Sequence, residues 1–169
     1  MDEFQKRKAL RLKEYDYSSV GCYFITVCTY KRARVLSNIV GAIHESPKIQ
    51  LTEQGKIVDN ILSNLPMHLG VEIGTYAIMP DHIHLVIAVT EDKKRAIRES
   101  PLQARSIISK VVGFIKMNAS KAIHQQYGDV PVWQRGYYDH IIRNYADYQE
   151  TVRYISENPI RWILNNKNK

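Results

Sequence analysis

The run EIGTYAIMPDHIHLVIAV at residues 72–89 decides the fold. It contains two stretches rich in apolar and β-branched side chains, 72–79 and 82–89, with the dipeptide Pro80-Asp81 between them. Strand-like stretches joined by a two-residue turn predict a β-hairpin. The hairpin is the element from which the rest of the chain can be placed.

The second strand of this hairpin has two different faces. Side chains alternate across a strand, so one face is predicted to be apolar and buried in the core. That face consists of Ile83, Leu85, Ile87 and Val89. His82 and His84 then share the opposite face, and two neutral imidazoles side by side suit a divalent metal ion. A lone His-X-His pattern is more often two exposed or merely hydrogen-bonded histidines.

Outside the hairpin, the pattern predicts two more strands and three helices. Strands are expected at 21–29 and 136–143, and helices at 51–65 (ended by Pro66), 106–127 and 145–157 (ended near Pro159). Residues 30–50 and 90–105 are predicted to be irregular connections. The order β-α-β-β-α-β-α indicates the α+β class, with a ferredoxin-like, mostly antiparallel sheet. One domain spanning 1–169 is expected, with a basic arm at 1–17 and a frayed tail at 163–169.

The net charge of the chain indicates which class of binding partner to expect. Twenty-four Lys and Arg residues against 17 Asp and Glu residues give a net charge of +7, which favours a polyanion, although a solvated basic surface would have the same composition. No apolar run approaches the roughly 20 residues of a membrane span, and the N-terminus has no secretory h-region. The expected location is therefore the cytoplasm, where Cys22 and Cys28 would be reduced thiols.

The predicted last helix has a candidate nucleophile beside its apolar side. The buried stripe is expected at spacings of three and four residues, at Tyr145, Tyr148, Val152 and Ile155. Tyr154 lies off this stripe, and Asn158 follows it by four residues, so the phenol and the carboxamide should project together. The chain has 11 tyrosines, and an exposed tyrosine without a function is the alternative.

Arginines and aromatic residues near the C-terminus, with basic residues in the N-terminal arm, are candidates for contacts to DNA. Arginine binds phosphate, and aromatic rings stack on unpaired bases. The predicted DNA-binding residues are Arg7, Lys8, Arg11, Lys13, Trp133, Arg135, Arg143 and Arg161. A hydrophobic last strand with solvated arginines is the alternative for the C-terminal group. No Gly-rich phosphate loop is present in the sequence, so no nucleotide cofactor is expected.

Three runs of this sequence match one known family. The run YAIMPDHIHLVI (76–87) resembles the His-hydrophobic-His (HUH) strand of REP-associated tyrosine transposases and of the wider IS200-like single-tyrosine transposases. The run PVWQRGYYDHIIRNYADYQETVRYISENPIRW (131–162) resembles their C-terminal signature. The run RKALRLKEYDYSSVGCYFITVCTYKR (7–32) is similar to the N-terminal block of one branch.

The resemblance implies a ferredoxin-like nuclease that cuts and rejoins hairpin-bearing single-stranded DNA through a 5′-phosphotyrosine. It puts the metal ligands at His82 and His84, the nucleophile at Tyr154 and a third ligand at Asn158, where insertion-sequence relatives often have Gln. One Mg²⁺ or Mn²⁺ ion is implied. Relatives commonly have Asn at the position of Asp81, which can either stay in the turn or reach the metal.

The resemblance leaves other functions and two assembly states open. A domesticated module could bind a DNA or RNA hairpin without cutting it, and a small metal-dependent phosphohydrolase could activate water at the histidines. Insertion-sequence relatives are dimers that exchange the tyrosine helix, whereas REP-associated ones are monomeric. The sequence has no long linker before the tyrosine helix, which favours a tyrosine that acts within its own chain.

Overall fold

Residues 20–41, 47–69, 71–90 and 106–166 are described by the computed structural model of the protein. The elements, in chain order, are β1 (Gly21–Cys28), a 3-10 turn (Tyr30–Arg32), β2 (Ser37–Val40), β3 (Lys48–Leu51), α1 (Glu53–Leu69), β4 (Glu72–Met79), β5 (His82–Val89), α2 (Ile107–Tyr127), β6 (Tyr138–Ile142) and α3 (Tyr145–Asn166).

Four of the strands form one antiparallel sheet in the order β4-β5-β1-β6. Strand β1 is therefore central, between β5 and β6, and both helical crossovers connect strands of this sheet. The arrangement is the ferredoxin-like one, and it confirms the α+β prediction. The hairpin β4-β5 begins and ends at the predicted residues.

One face of the sheet packs on α1 and α2 to form the main core. The predicted apolar side chains of β5 all lie in it, together with Tyr23, Ile25 and Val27 of β1. The N-terminus of α2 is capped by Ser106, whose hydroxyl accepts a hydrogen bond from Ser109 N at 3.2 Å. These contacts use every second residue of β5, so the histidines point to the other side of the sheet.

The other face of the sheet is covered by α3. Ile155 packs there with Ala77, Met79 and Val86 in a smaller apolar cluster. Tyr145 was predicted to be the first residue of the buried stripe of α3, and this prediction was wrong, because Tyr145 is 73% exposed. The buried side chains of α3 are instead Thr151, Ile155, Asn158 and Pro159. Two of these are polar, because this helix covers the face of the sheet that carries the histidines.

The predicted irregular connection at 30–50 was wrong. It contains the 3-10 turn and the two-stranded hairpin β2-β3, in which Ser37 pairs with Leu51 and Val40 with Lys48. Each strand has only four residues, so its alternation is too short to be recognised from sequence. The sixth strand is also shorter than predicted, since it begins at Tyr138 and ends at Ile142.

Two helices extend beyond the prolines that were expected to end them. Helix α1 continues to Leu69 instead of ending at Pro66, and α3 contains Pro159 and continues to Asn166. A proline removes one backbone hydrogen bond, and tertiary packing can offset that loss. The predicted frayed tail is therefore helical at 163–166, while 167–169, the arm at 1–17 and the charged segment 91–105 lie outside the described residues.

Candidate metal and tyrosine site

The two histidines of β5 face each other on the α3 side of the sheet. His82 Nε2 and His84 Nε2 are 2.9 Å apart, and the two residues are 5% and 4% exposed. Their rings are inclined at 74° to each other. The alternation of β5 and the cover provided by α3 thus produce a pair of converging nitrogen atoms with little access to bulk water.

Each histidine is held by a hydrogen bond at its other nitrogen. His82 Nδ1 is 2.5 Å from Asp81 Oδ1, and His84 Nδ1 is 2.8 Å from Thr26 Oγ1. Thr26 belongs to β1 and is paired with His84 in the register of β1 and β5. Partners of this kind fix the ring orientation of histidines that bind metals. Asp81 is thus engaged with the outer nitrogen of His82.

Burial lowers the pKa of His84 from 6.5 to about 3, with further contributions from the charges of His82 and Arg32. The imidazole of His84 is therefore neutral at physiological pH. A neutral imidazole is the form that binds a metal ion, since protonation would occupy the lone pair.

Helix α3 brings Tyr154 and Asn158 to the histidines. The ring centroid of Tyr154 lies 5.4 Å from that of His84 and 5.9 Å from that of Phe24, in edge-on geometry in both cases. Tyr154 is 39% exposed, whereas Asn158 is only 7% exposed. The phenol is thus open to solvent next to a buried amide and two buried imidazoles.

One cavity of about 700 Å³ is lined by His82, His84, Tyr154 and Asn158. Its lining also includes Arg32, Arg34, Tyr138, Arg161, Trp162, Asn165 and Asn166. The guanidinium of Arg161 lies over the Tyr154 ring at 5.5 Å, and that of Arg34 lies over the Trp162 ring at 5.3 Å. A cavity with arginines and exposed aromatic rings at its wall suits a phosphate backbone with unpaired bases.

The donor set fits a divalent cation. Metal–nitrogen bonds of about 2.1 Å place two adjacent ligands of an octahedral ion roughly 3.0 Å apart, close to the observed separation of the two Nε2 atoms. Within the described residues, no group of three or more His, Cys, Asp and Glu side chains is arranged to hold a metal. The amide of Asn158, another group that can bind a metal ion, lines the same cavity as the two histidines.

The predicted DNA-binding residues that the structure describes lie in different places. Arg161 lines the cavity at Tyr154, whereas Trp133 and Arg135 line a second cavity of about 710 Å³ along α2. Arg143 is exposed just after β6. The arm residues Arg7, Lys8, Arg11 and Lys13 lie outside the described residues.

A comparison with models of protein families identifies the family of this chain. The family model described as "Transposase IS200 like" matches residues 18–158, which include the histidine pair, Tyr154 and Asn158. The chain belongs to the IS200-like transposase family. The resemblance noted in the sequence is thereby confirmed.

Relatives of this member of the IS200-like family include two proteins from Haemophilus influenzae (strain ATCC 51907 / DSM 11121 / KW20 / Rd). One, of uncharacterised function, is 33% identical, and the match covers 92% of this chain and 89% of the relative. The other, named as a candidate REP-associated tyrosine transposase, is 25% identical, with coverage of 86% and 74%.

Solved structures share the fold of this chain. A REP-associated tyrosine transposase bound to a REP hairpin superposes with a TM-score of 0.62 at 21% identity, over 90% of this chain and 73% of that one. A candidate transposase from Deinococcus radiodurans gives a TM-score of 0.50 at 17% identity, over 88% and 98%. No helix in the described ranges combines the length and apolar character that a bilayer span requires.

Thr26 and Arg32 are among the residues of this site that were not predicted from the sequence. Thr26 contacts His84 from the neighbouring strand, and Arg32 contacts Asp81 from the 3-10 turn. No local pattern marks Arg32, because its contact with Asp81 depends on the pairing of β1 with β5. The signal that could have identified Thr26 is its position in β1, on the same face as Cys28 and opposite the core residues.

Proposed function

We propose that this protein is a metal-dependent single-stranded DNA endonuclease and transposase that cleaves and rejoins hairpin-associated DNA through a 5′-phosphotyrosine. The observation that carries the proposal is that Tyr154 and Asn158 line one cavity with His82 and His84. Membership of the IS200-like family and structural similarity to a transposase bound to a REP hairpin support it.

His82, His84 and Asn158 would hold one Mg²⁺ or Mn²⁺ ion. All three ligands are neutral, so the bound ion would keep its full charge and would polarise a phosphate oxygen of the DNA. The buried imidazoles and their hydrogen-bond partners prepare this site before DNA arrives, because Asp81 and Thr26 already fix the two rings.

Tyr154 would supply the nucleophile. Its phenol, which is 39% exposed, loses a proton to solvent water and attacks the phosphorus; a bond forms between the tyrosine oxygen and phosphorus, and the bond from phosphorus to the 3′-oxygen breaks. The 3′-oxygen takes up a proton from water and leaves as a hydroxyl group. The phosphodiester energy is kept in the phosphotyrosine, so a second 3′-hydroxyl can reverse the step without a nucleotide cofactor.

The DNA would be bound mainly through phosphate contacts and base stacking. Arg161, Arg34 and Tyr138 line the cavity next to Tyr154, and Tyr138 is 53% exposed. An exposed aromatic ring beside arginines favours an unpaired base over a duplex. The net charge of +7 adds long-range attraction to the strand.

The test is an adduct assay with a matched tyrosine control. The protein is incubated with Mn²⁺ or Mg²⁺ and a labelled hairpin oligonucleotide with single-stranded flanks, and the products are separated on a denaturing gel. We expect a covalent protein–DNA band that is lost in Tyr154→Phe and kept in Tyr138→Phe. Tyr138 is the matched control because it lines the same cavity but is not the proposed nucleophile.

The alternative functions predict different products in this assay. Cleavage that survives Tyr154→Phe would indicate a metal-dependent hydrolase, and tight hairpin binding without cleavage would indicate a binding module. Either result would refute the proposal.

We also propose that Tyr154 acts with the histidines of its own chain, whether the protein is a monomer or a homodimer. The short distance between the Tyr154 and His84 rings occurs within one chain and supports this. A mixture of Tyr154→Phe and His84→Ala proteins should then form no adduct. Restored adduct formation in the mixture would show that the tyrosine helix is exchanged between subunits.

A further inference from the structure

Arg32 and Asp81 form an ion pair at the edge of the histidine pair. Arg32 Nε lies 2.9 Å from Asp81 Oδ2, while the other carboxylate oxygen of Asp81 contacts His82 Nδ1. The Asp81 side chain is 8% exposed and that of Arg32 is 46% exposed. A chain of contacts therefore runs from a half-exposed guanidinium through a buried carboxylate to a candidate metal ligand.

The Asp81 carboxylate determines which nitrogen of His82 carries the proton. A carboxylate can only accept hydrogen bonds, so His82 Nδ1 must donate to Asp81, and the lone pair is left on Nε2. Nε2 is the atom that faces His84. The carboxylate thus holds His82 in the tautomer that a metal ion requires.

The backbone places Arg32 at some conformational cost. Lys31 and Arg32 have φ angles of 50° and 60°, which L-residues rarely adopt. The turn is fastened to Asp81, since both the backbone N–H and the hydroxyl of Thr29 donate to the Asp81 carbonyl at 3.0 and 2.9 Å. Strained backbone persists where the surrounding contacts fix it, and such sites are often functional.

We propose that Arg32 is a positioning residue for the metal site: it pairs with Asp81 and so keeps His82 with its Nε2 lone pair turned toward His84. This inference rests on the proposed function, in which His82 and His84 bind a divalent ion. Arg32 also donates through Nη1 to Cys28 Sγ at 2.8 Å, which helps to keep the guanidinium in place.

The direction in which metal affinity changes on loss of Arg32 separates the positioning role from simple electrostatic repulsion. A positive charge near a cation site repels the cation, so the loss of Arg32 should strengthen metal binding if charge alone matters. If Arg32 acts through Asp81, its loss should weaken binding, because the orientation of His82 is then less constrained. Removal of a direct outer-shell partner such as Asp81 typically costs about 10- to 100-fold in metal affinity, so the loss of Arg32, one contact further out, should cost up to about tenfold.

The experiment compares Arg32→Asn with Lys31→Asn. Asn tolerates a positive φ angle, so both changes suit the backbone, but only the first removes the guanidinium that contacts Asp81. Mn²⁺ affinity is measured by titration calorimetry on the full chain. The tautomer of His82 is measured in metal-free, ¹⁵N-histidine-labelled protein by long-range ¹H–¹⁵N correlation.

We expect wild type and Lys31→Asn to show His82 protonated at Nδ1 and to bind Mn²⁺ equally well. Arg32→Asn should show protonation at Nε2 in part of the molecules and bind Mn²⁺ up to about tenfold more weakly. If Arg32→Asn does not fold, Arg32→Gly provides the same test, since glycine accepts the φ angle freely.

An unchanged tautomer in the Arg32 variant, or tighter Mn²⁺ binding, would overturn the positioning role. The tautomer measurement needs neither metal nor DNA. If the wild-type protein bound no Mn²⁺, the proposed function would fail, while the tautomer would still decide the role of Arg32.

Discussion

Thr26 Oγ1 lies 2.8 Å from His84 Nδ1, across the register that pairs β1 with β5. A hydroxyl can donate or accept, so Thr26 can serve either tautomer of His84. In the metal-free protein, His82 Nε2 must accept from His84 Nε2, and His84 Nδ1 then accepts from Thr26. When His84 Nε2 binds a metal ion, its Nδ1 must donate instead, and the same hydroxyl can accept.

We therefore expect Thr26→Val to weaken Mn²⁺ binding by about 10- to 100-fold, because it removes the outer partner of His84. The variant should also lose about 1–3 kcal/mol of unfolding free energy, since a buried nitrogen is left unpaired. Calorimetry and urea unfolding measure the two effects. Thr26→Ser keeps the hydroxyl and should stay close to wild type in Mn²⁺ affinity; equal affinities for Ser and Val would refute the role of the hydroxyl.

Asn158 is the candidate third ligand, and Asn165 provides a matched control on the same helix. Both line the cavity, but Asn158 is buried whereas Asn165 is exposed. Asn158→Ala should lower Mn²⁺ affinity by at least the roughly tenfold that loss of an outer-shell partner costs. Asn165→Ala should leave that affinity unchanged. Similar losses in both variants would mean that the cavity wall, and not a specific amide, determines the affinity.

The sequence was most informative where one physical rule acted alone. Alternation in β5 separated the core side chains from His82 and His84, and the spacing of four residues in a helix placed Tyr154 beside Asn158. Both are local rules that need no knowledge of the tertiary structure. The metal and nucleophile roles of these residues remain predictions.

The sequence was least informative where tertiary contacts determine the outcome. The buried face of α3 includes Thr151 and Asn158, so a search for apolar residues gave a stripe that begins at the exposed Tyr145. Pro159 lies inside α3 because the helix is packed on the sheet on both sides of it. Thr26 and Arg32 reach the site through strand pairing and a turn with positive φ angles, and neither feature follows from a local pattern.

Gly55 in the first turns of α1 is expected to be intolerant of any side chain. A Cβ atom there would lie 1.9 Å from the Leu36 carbonyl oxygen, which also accepts from Thr52 N and Thr52 Oγ1 at 3.0 Å each. Gly55→Ala should therefore cost about 1–3 kcal/mol or more of unfolding free energy. Gly113→Ala in α2 meets nothing within 4 Å and should instead stabilise by about 0.5–1 kcal/mol. Urea unfolding of both variants measures their unfolding free energies, which should change in opposite directions.

Arg161 is expected to contact a phosphate of the bound strand. In a Tyr154→Phe background with EDTA, affinity for a hairpin oligonucleotide should fall steeply with salt, and Arg161→Ala should reduce the log–log slope by about 0.7. Arg153 shares the partner Glu157 but is 70% exposed and lies outside the cavity lining, so Arg153→Ala should leave the slope unchanged. A salt-independent affinity in the parent protein would exclude binding through phosphates.

The lowered pKa of His84 predicts how the stability of the metal-free protein depends on pH. An unfolded histidine takes up a proton near pH 6.5, whereas burial lowers the pKa of His84 in the folded protein to about 3. Between these values the unfolded chain binds more protons, so this contribution to stability is complete above pH 6.5 and is lost as the pH falls toward 3.

The matching measurement is urea unfolding in EDTA at pH 7 and pH 5 for wild type and His84→Gln. Over this interval the wild type should lose up to about 2 kcal/mol more than the variant, because only the wild type has the buried imidazole that must stay neutral. The difference between the two proteins removes the contributions of the other titrating groups that they share. Parallel losses would show that His84 accepts a proton as readily in the folded protein as in the unfolded chain.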